Sequence, residues 1–139
     1  MSLSDWLIFL HVLSAFLVVG GLTALWALVL ATRPGAPVLA AEEAQRFGRI
    51  MGPIVGVGMG GAILLGIALA IDSDNYHPWD GWIVAALVLW FFATWAGAEA
   101  GKRFDRDPVG GRRAGIRFQA LNSLGVLAIL VLMIWKPGA

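Results

Sequence analysis

Four long apolar stretches dominate the pattern of hydrophobic and polar positions along the chain. They cover about residues 5–31, 50–71, 80–101 and 115–136, and charged side chains occur only near their ends. A bilayer core about 30 Å thick takes roughly 20 helical residues to cross. The stretches are rich in Leu, Ala and Gly and lack the period-two alternation of strands. We therefore predict an all-α fold, in which residues 1–139 form a single four-transmembrane-helix bundle.

A short amphipathic segment precedes the second stretch. Residues 40–49 mix alanines with two glutamates and two arginines, a pattern typical of a helical turn or two at a membrane interface. Proline removes a backbone donor and bends a helix. We therefore predict an amphipathic lead-in that bends into the second helix at Pro53.

The composition also indicates a membrane protein and not a soluble domain. Apolar residues make up 59% of the chain, charged residues only 14%, and the mean hydropathy is +0.79, whereas a soluble chain carries about 25% charge. Ten Lys and Arg against nine Asp and Glu argue against a nucleic-acid partner. The absence of cysteine excludes disulfides and thiolate metal sites. The partner that the composition predicts is the lipid bilayer.

The basic residues predict the orientation of the chain. Nine of the ten lie on the side where the first stretch leads into the second and the third into the fourth, and only Lys136 lies on the other side. Because cytoplasmic loops are enriched in Lys and Arg, we predict N-out/C-out topology in a bacterial inner membrane. Four tryptophans mark the predicted outer boundary as an aromatic belt: Trp6, Trp79, Trp82 and Trp135.

Small residues recur at a spacing of four in two of the predicted helices. The second helix carries Gly52, Gly56 and Gly60, and the third carries Ala93 and Gly97. Residues four apart share one helix face, and small residues let two helices approach closely in lipid. We predict that these faces pack inside the bundle, with a homo-oligomer contact as the alternative.

Polar residues near the predicted inner surface indicate contacts between the third and fourth helices. Glu99 and Arg117 should lie at similar depth and form an ion pair, because charges near helix ends reach the headgroup level at low cost. Gln119, Asn122 and Ser123 lie in the inner half of the fourth helix. We expect Gln119 and Asn122, three residues apart and on one face, to point into the bundle and make interhelical hydrogen bonds.

His11 is the residue that most clearly indicates chemistry. It lies about six residues into the first stretch, on the order of 9 Å below the predicted outer surface. An ionisable residue inside a span is a functional candidate, and imidazole is a frequent metal and haem ligand. One interpretation is a neutral imidazole bonded to a neighbouring helix. The other is a ligand to haem b, with Met133 as a second ligand.

A metal ion is the third interpretation of the same region. His77 and Asp74 lie in the predicted outer loop, so a copper or zinc ion could be held by His11, His77 and Asp74. The chain carries no serine elbow, nucleotide-binding glycine loop or zinc-protease motif. We therefore expect no catalytic residues and favour a protein that is not an enzyme.

Several segments resemble a known bacterial group. They are residues 10–15 and 19–21 in the first helix, 49–53 at the start of the second, Trp82 at the start of the third, and 133–138. Together they resemble a family of small four-span bacterial membrane proteins of unknown function. The first helix is also similar to that of copper-resistance D-type membrane domains and of haem-associated protoporphyrinogen oxidases. The resemblance implies metal handling or haem binding at His11.

The function that the sequence predicts is a non-enzymatic accessory, assembly or binding subunit of the membrane. A haem- or metal-binding protein that uses His11 is the first alternative, and a small oligomeric transporter or channel is the second. The partners to expect are the bilayer, further copies of the chain or a larger membrane complex.

Overall fold

The computed structural model of the chain describes residues 2–35, 38–72, 77, 79–106 and 111–136, with the backbone alone at 38–41. The described residues form four helices and no strand: α1 (Leu3–Ala31), α2 (Val38–Asp72), α3 (Gly81–Arg106) and α4 (Arg112–Trp135). Each helix is long and apolar enough to cross a membrane. The predicted all-α, four-helix fold is confirmed, and the chain has the build of a multi-pass membrane protein. The orientation of its termini stays a prediction.

Local hydrogen bonds set both ends of α1. The Ser2 hydroxyl accepts from the Asp5 backbone at 3.2 Å, and the Ser2 backbone donates to the Asp5 carboxylate at 2.7 Å. This reciprocal pair satisfies donors that a helix start leaves open. At the other end, the Thr32 hydroxyl donates to the Leu28 carbonyl at 2.8 Å. The span therefore begins and ends with its exposed backbone groups partly paired.

The amphipathic lead-in and the second span form one continuous helix. α2 begins at Val38 and runs for 35 residues with Pro53 in its interior. At 1.5 Å per residue, its length is about 52 Å, well beyond a hydrocarbon core of about 30 Å. Proline costs one hydrogen bond, but the turns on either side keep theirs. The predicted lead-in is thus the first part of α2 and does not form a separate element.

The bundle consists of two helical hairpins. α1 packs extensively on α2, and α3 packs extensively on α4, whereas contacts between the two pairs are sparse. The Ser4 hydroxyl donates to the Asp72 carboxylate at 2.6 Å and closes the first hairpin. We call the end where α1 begins and α4 ends the terminal end. The opposite end, where α1 ends and α4 begins, is the basic end.

A central layer of buried apolar side chains joins the two hairpins near mid-membrane. Its members come from all four helices: Val18, Leu22, Val55, Met59, Ala93 and Val126. Trp90 packs against this layer and donates its Nε1–H to the Met59 carbonyl at 2.9 Å. The layer leaves space between the hairpins on both sides of it, one cavity toward each end of the bundle.

Large apolar side chains cover the outside of all four helices, including Phe16, Leu64, Phe91, Leu124 and Ile134. Such continuous apolar exposure is foreign to soluble monomers and suits a lipid environment. Three of the four predicted belt tryptophans are exposed, but Trp82 is only 7% exposed. Trp82 turns inward because it forms a wall of the cavity at the terminal end.

Candidate ligand site beside His11

His11 lies on the face of α1 that packs into the bundle. Ser14, Val18 and Leu22 are buried along this face, and His11 precedes Ser14 by three residues, so it shares the same side of the helix. Its imidazole is half-buried. The sequence therefore places an ionisable ring toward the neighbouring helix and not toward lipid.

Gly66 of α2 makes room for the His11 ring. A Cβ atom added at Gly66 would lie 3.2 Å from His11 Cε1 and 3.6 Å from Nδ1. The ring also interacts by a hydrogen bond with the backbone of Ala62, one turn before Gly66 on α2, in line with the interpretation of an imidazole bonded to a neighbouring helix. A larger residue at position 66 would push the imidazole from this position.

The Nδ1 atom of His11 is buried and has no hydrogen-bond partner among the described residues. Leaving a buried polar atom unpaired costs about 1–3 kcal/mol. A neutral imidazole has one nitrogen that donates and one that accepts, so the ring can serve either kind of partner. Nδ1 is therefore a polar atom without a hydrogen-bond partner in a largely apolar surrounding, on a ring that also interacts with the Ala62 backbone.

A cavity of about 490 Å³ lies between the hairpins at the terminal end, and His11 forms part of its wall. We call it the terminal cavity. Val18, Met59 and Val126 of the central layer close its deep end. Its volume is in the range of small-molecule sites, about 300–1,000 Å³. Such sites combine apolar walls with a few polar groups, which is the composition found here.

Aromatic and soft side chains form much of the remaining wall. Trp82 and Trp90 of α3 line the cavity, as does Met133 of α4. His11 on α1 and Met133 on α4, which are far apart in sequence, thus line the same cavity. Lys136 also lines the cavity, with its Nζ 5.8 Å from the centre of the Trp82 ring. A cation consequently lies at the terminal side of an otherwise apolar space.

The predicted metal site is not assembled by the described residues. His77 is exposed, its backbone N–H donates to the Asp80 carboxylate at 3.0 Å, and its ring lies 5.2 Å from that of Trp79. It does not line the terminal cavity. Asp74 lies outside the described residues, and within them no three His, Asp or Glu side chains come together as a metal site.

The close helix contacts use glycines other than those predicted for α2. A Cβ at Gly52, Gly56 or Gly60 would meet nothing within 4 Å, whereas one at Gly58 would lie 3.0 Å from the Ser14 carbonyl. The three predicted positions therefore do not form the close contact with α1. Gly52 lines a cavity between the hairpins, and the homo-oligomer contact stays a prediction.

In the second hairpin the predicted small residues do lie at the helix contact. Ala93 is completely buried, and a Cβ at Gly125 of α4 would lie 2.9 Å from its own. A Cβ at Gly97 would lie 2.8 Å from the Asn122 amide nitrogen. Gln119 and Asn122 are buried, as expected, at 3% and 4% exposure. α3 and α4 therefore approach closely where Ala93 faces Gly125 and where Gly97 faces Asn122.

The predicted ion pair between Glu99 and Arg117 is replaced by a local one. Glu99 binds Lys102 of the same helix at 2.8 Å, because residues three apart on a helix are neighbours. Arg117 is exposed on α4. Arg103, which follows Lys102 on α3, has its guanidinium carbon 5.5 Å from the centre of the Phe118 ring on α4. At this end of α3, Glu99 thus pairs within its own helix and Arg103 contacts an aromatic ring of α4.

Gly66, Ala86 and Trp90 line the terminal cavity but were not singled out from the sequence alone. A signal for Gly66 exists in the register of the first hairpin. Ser14 faces Gly61, Val18 faces Gly58, and His11 faces Gly66, so the position numbers of facing residues add to a nearly constant total, as they must in an antiparallel pair. Small residues of α2 matched to the polar residues of α1 would have indicated this register.

Comparison of the chain with protein-family models, with curated proteins and with solved structures finds no match. The function of the chain is therefore inferred from the terminal cavity and the residues that line it.

Proposed function

We propose that the chain is a non-enzymatic binding subunit of the membrane that holds a largely apolar ligand in the terminal cavity, with His11 as a polar contact. The observation that carries this proposal is the buried, unpartnered His11 Nδ1 in the wall of a largely apolar cavity. A ligand that bonds the imidazole removes the cost of leaving it unpaired. Apolar walls supply the remaining affinity by burying the ligand from lipid and water.

Haem b is the ligand whose chemistry best matches the lining. Its flat ring needs apolar and aromatic walls, which Trp82 and Trp90 offer. Its iron takes imidazole or thioether ligands, and His11 and Met133 line the same space. Its carboxylates need a cation, which Lys136 supplies in the wall of the cavity. Each of these groups comes from a different part of the chain, so the match depends on the fold.

The test is a haem titration of the purified protein in detergent, followed by visible absorption. We expect a Soret band that saturates at one haem per chain and that is absent in His11→Gln. Glutamine keeps a donor and an acceptor, so the bundle should stay folded, but an amide is a far poorer metal ligand than imidazole. His77→Gln is the matched control, because His77 is exposed and outside the cavity, and its spectrum should equal that of the wild type.

Two outcomes would contradict the proposal. A folded wild-type protein that takes up no haem excludes this ligand, and a band lost equally in His77→Gln excludes the terminal cavity as its place. Copper or zinc retained by the wild type but not by His11→Gln would move the proposal to a metal ion.

The proposed setting is a bacterial inner membrane with both ends of the chain outside, which follows from the basic residues. The chain lacks cysteine, so single cysteines report their own side. We expect His77→Cys to react with a membrane-impermeant thiol reagent in intact cells. Glu42→Cys should react only after the cells are opened. Both positions are exposed, so the reverse pattern would overturn the orientation.

A further inference from the structure

A second cavity, of about 660 Å³, lies between the hairpins at the basic end. We call it the basic cavity. The central layer separates it from the terminal cavity, since Leu25, which packs on that layer, forms part of its wall. Glycines form other parts of the wall, among them Gly52 and Gly97. Because glycines lack side chains, they leave open space between the helices in this part of the cavity.

Charged side chains surround the mouth of the basic cavity. Three guanidinium groups line it, those of Arg33, Arg49 and Arg112, together with the carboxylate of Asp105. The excess of positive charge is what distinguishes this cavity from the terminal one. Basic pockets between transmembrane helices are places where anionic lipid headgroups bind.

Arg112 is fixed in the cavity wall. Its Nη2 donates to the Val29 carbonyl at 2.7 Å and its Nη1 to the Thr32 hydroxyl at 3.3 Å. Both acceptors belong to the end of α1, where the helix dipole also favours a cation. These bonds hold a guanidinium group at a defined place between the two hairpins, so an anion arriving there meets a charge that is already positioned.

Gln119 provides a polar atom deep inside the same cavity. It is only 3% exposed and lines the cavity, and its Nε2 has no hydrogen-bond partner among the described residues. Gln119 follows Arg112 by two helical turns, so it lies about 10 Å deeper along α4. A buried amide donor left open at that depth indicates a ligand with an acceptor some distance below its charged group.

We propose that the basic cavity binds one anionic phospholipid. The phosphate lies among Arg33, Arg49 and Arg112, an ester carbonyl accepts a hydrogen bond from Gln119 Nε2, and an acyl chain fills the glycine-walled depth. A phospholipid has its charge, its ester acceptors and its apolar chain in that order. This proposal is independent of the ligand at His11, because it concerns the opposite cavity.

The experiment is native mass spectrometry of the detergent-purified protein titrated with phosphatidylglycerol. In the variant Arg33→Gln/Arg49→Gln, we expect the affinity to fall about 30-fold, since each basic residue near a lipid headgroup contributes roughly 1 kcal/mol, or about fivefold. Arg46→Gln/Arg117→Gln removes the same charge from exposed positions outside the cavity and should stay near the wild-type affinity.

A second pair of variants tests whether the acyl chain enters the cavity. Gly52 lines the cavity and a Cβ there meets nothing within 4 Å, so Gly52→Leu should keep the fold and take up space that the lipid needs. Gly56→Leu, one turn away and outside the cavity, is its control. We expect phosphatidylglycerol binding to weaken in the first variant alone.

Each contrary outcome overturns the proposal. Equal loss in the two arginine double variants would mean that the attraction is general to the surface. Equal binding of phosphatidylcholine would remove the role of net charge. Competition by inorganic phosphate at the concentration of the lipid would leave an anion site without a lipid. Unchanged binding in Gly52→Leu would place the lipid outside the cavity.

Discussion

Gly58→Leu is expected to destabilise the bundle by about 3 kcal/mol, near the upper range for inserting a large side chain into a packed site. A Cβ atom alone would lie 2.9 Å from Val18 Cγ2 and 3.0 Å from the Ser14 carbonyl oxygen. The carbonyl belongs to the backbone of α1 and cannot rotate away, so the two helices have to separate. Small residues at such contacts are what allow helices to associate in lipid.

The measurement is the free energy of unfolding in detergent, by denaturant or by heat. Gly56→Leu is the control, because Gly56 is exposed and a Cβ there meets nothing within 4 Å. Its effect should stay within about 0.5 kcal/mol, as for surface substitutions. Equal destabilisation by the two changes would show that α1 and α2 pack in another register.

Ala86→Phe should abolish ligand binding in the terminal cavity while the bundle remains folded. Ala86 is 6% exposed and lines that cavity, so a benzyl group at this position extends into open space of about 490 Å³. Filling apolar space buries additional surface, which favours the folded state. The expected signature is therefore a lost Soret band with an unchanged or higher unfolding temperature.

Val88→Phe is the matched control for this substitution. Val88 lies on the same helix but is 64% exposed and does not line the cavity. Its Soret band should be that of the wild type. If Ala86→Phe also binds haem with wild-type affinity, the haem lies elsewhere, and the pairing of His11 with this cavity is wrong. Loss of folding in Ala86→Phe would instead contradict the open space at that position.

The four helices could be predicted from the sequence because the thickness and apolar nature of a bilayer core set the length and hydropathy of a spanning helix. The sequence could not predict which faces pack. Phe16, 71% exposed, and Val18, 3% exposed, are both apolar, since a membrane helix is apolar on the lipid side and on the protein side alike. Because α2 has no polar face to mark its lipid side, the sequence could not show whether Gly56 and Gly60 or instead Gly58 face α1.

The candidate site was predicted only in part, because His11 can be recognised from the chain alone but the cavity cannot. His11 was singled out because ionisable residues are rare inside spans, a property of the chain alone. The cavity beside it arises from a gap between hairpins, which depends on contacts between distant segments. Glu99 shows the opposite failure. Its predicted partner lay on another helix, whereas Lys102, three residues away, becomes its neighbour as soon as α3 forms.

The division into two hairpins also concerns how the chain is made. Every contact that joins α1 to α2, from Ser14 against Gly61 to the bond between Ser4 and Asp72, is available once residue 72 has been synthesised. The first pair of helices can therefore enter the bilayer as an assembled unit before α3 exists. α3 and α4 can follow as a second unit and dock at the central layer, where Trp90 meets Met59. The distribution of contacts thus allows the chain to insert in two steps, one hairpin at a time.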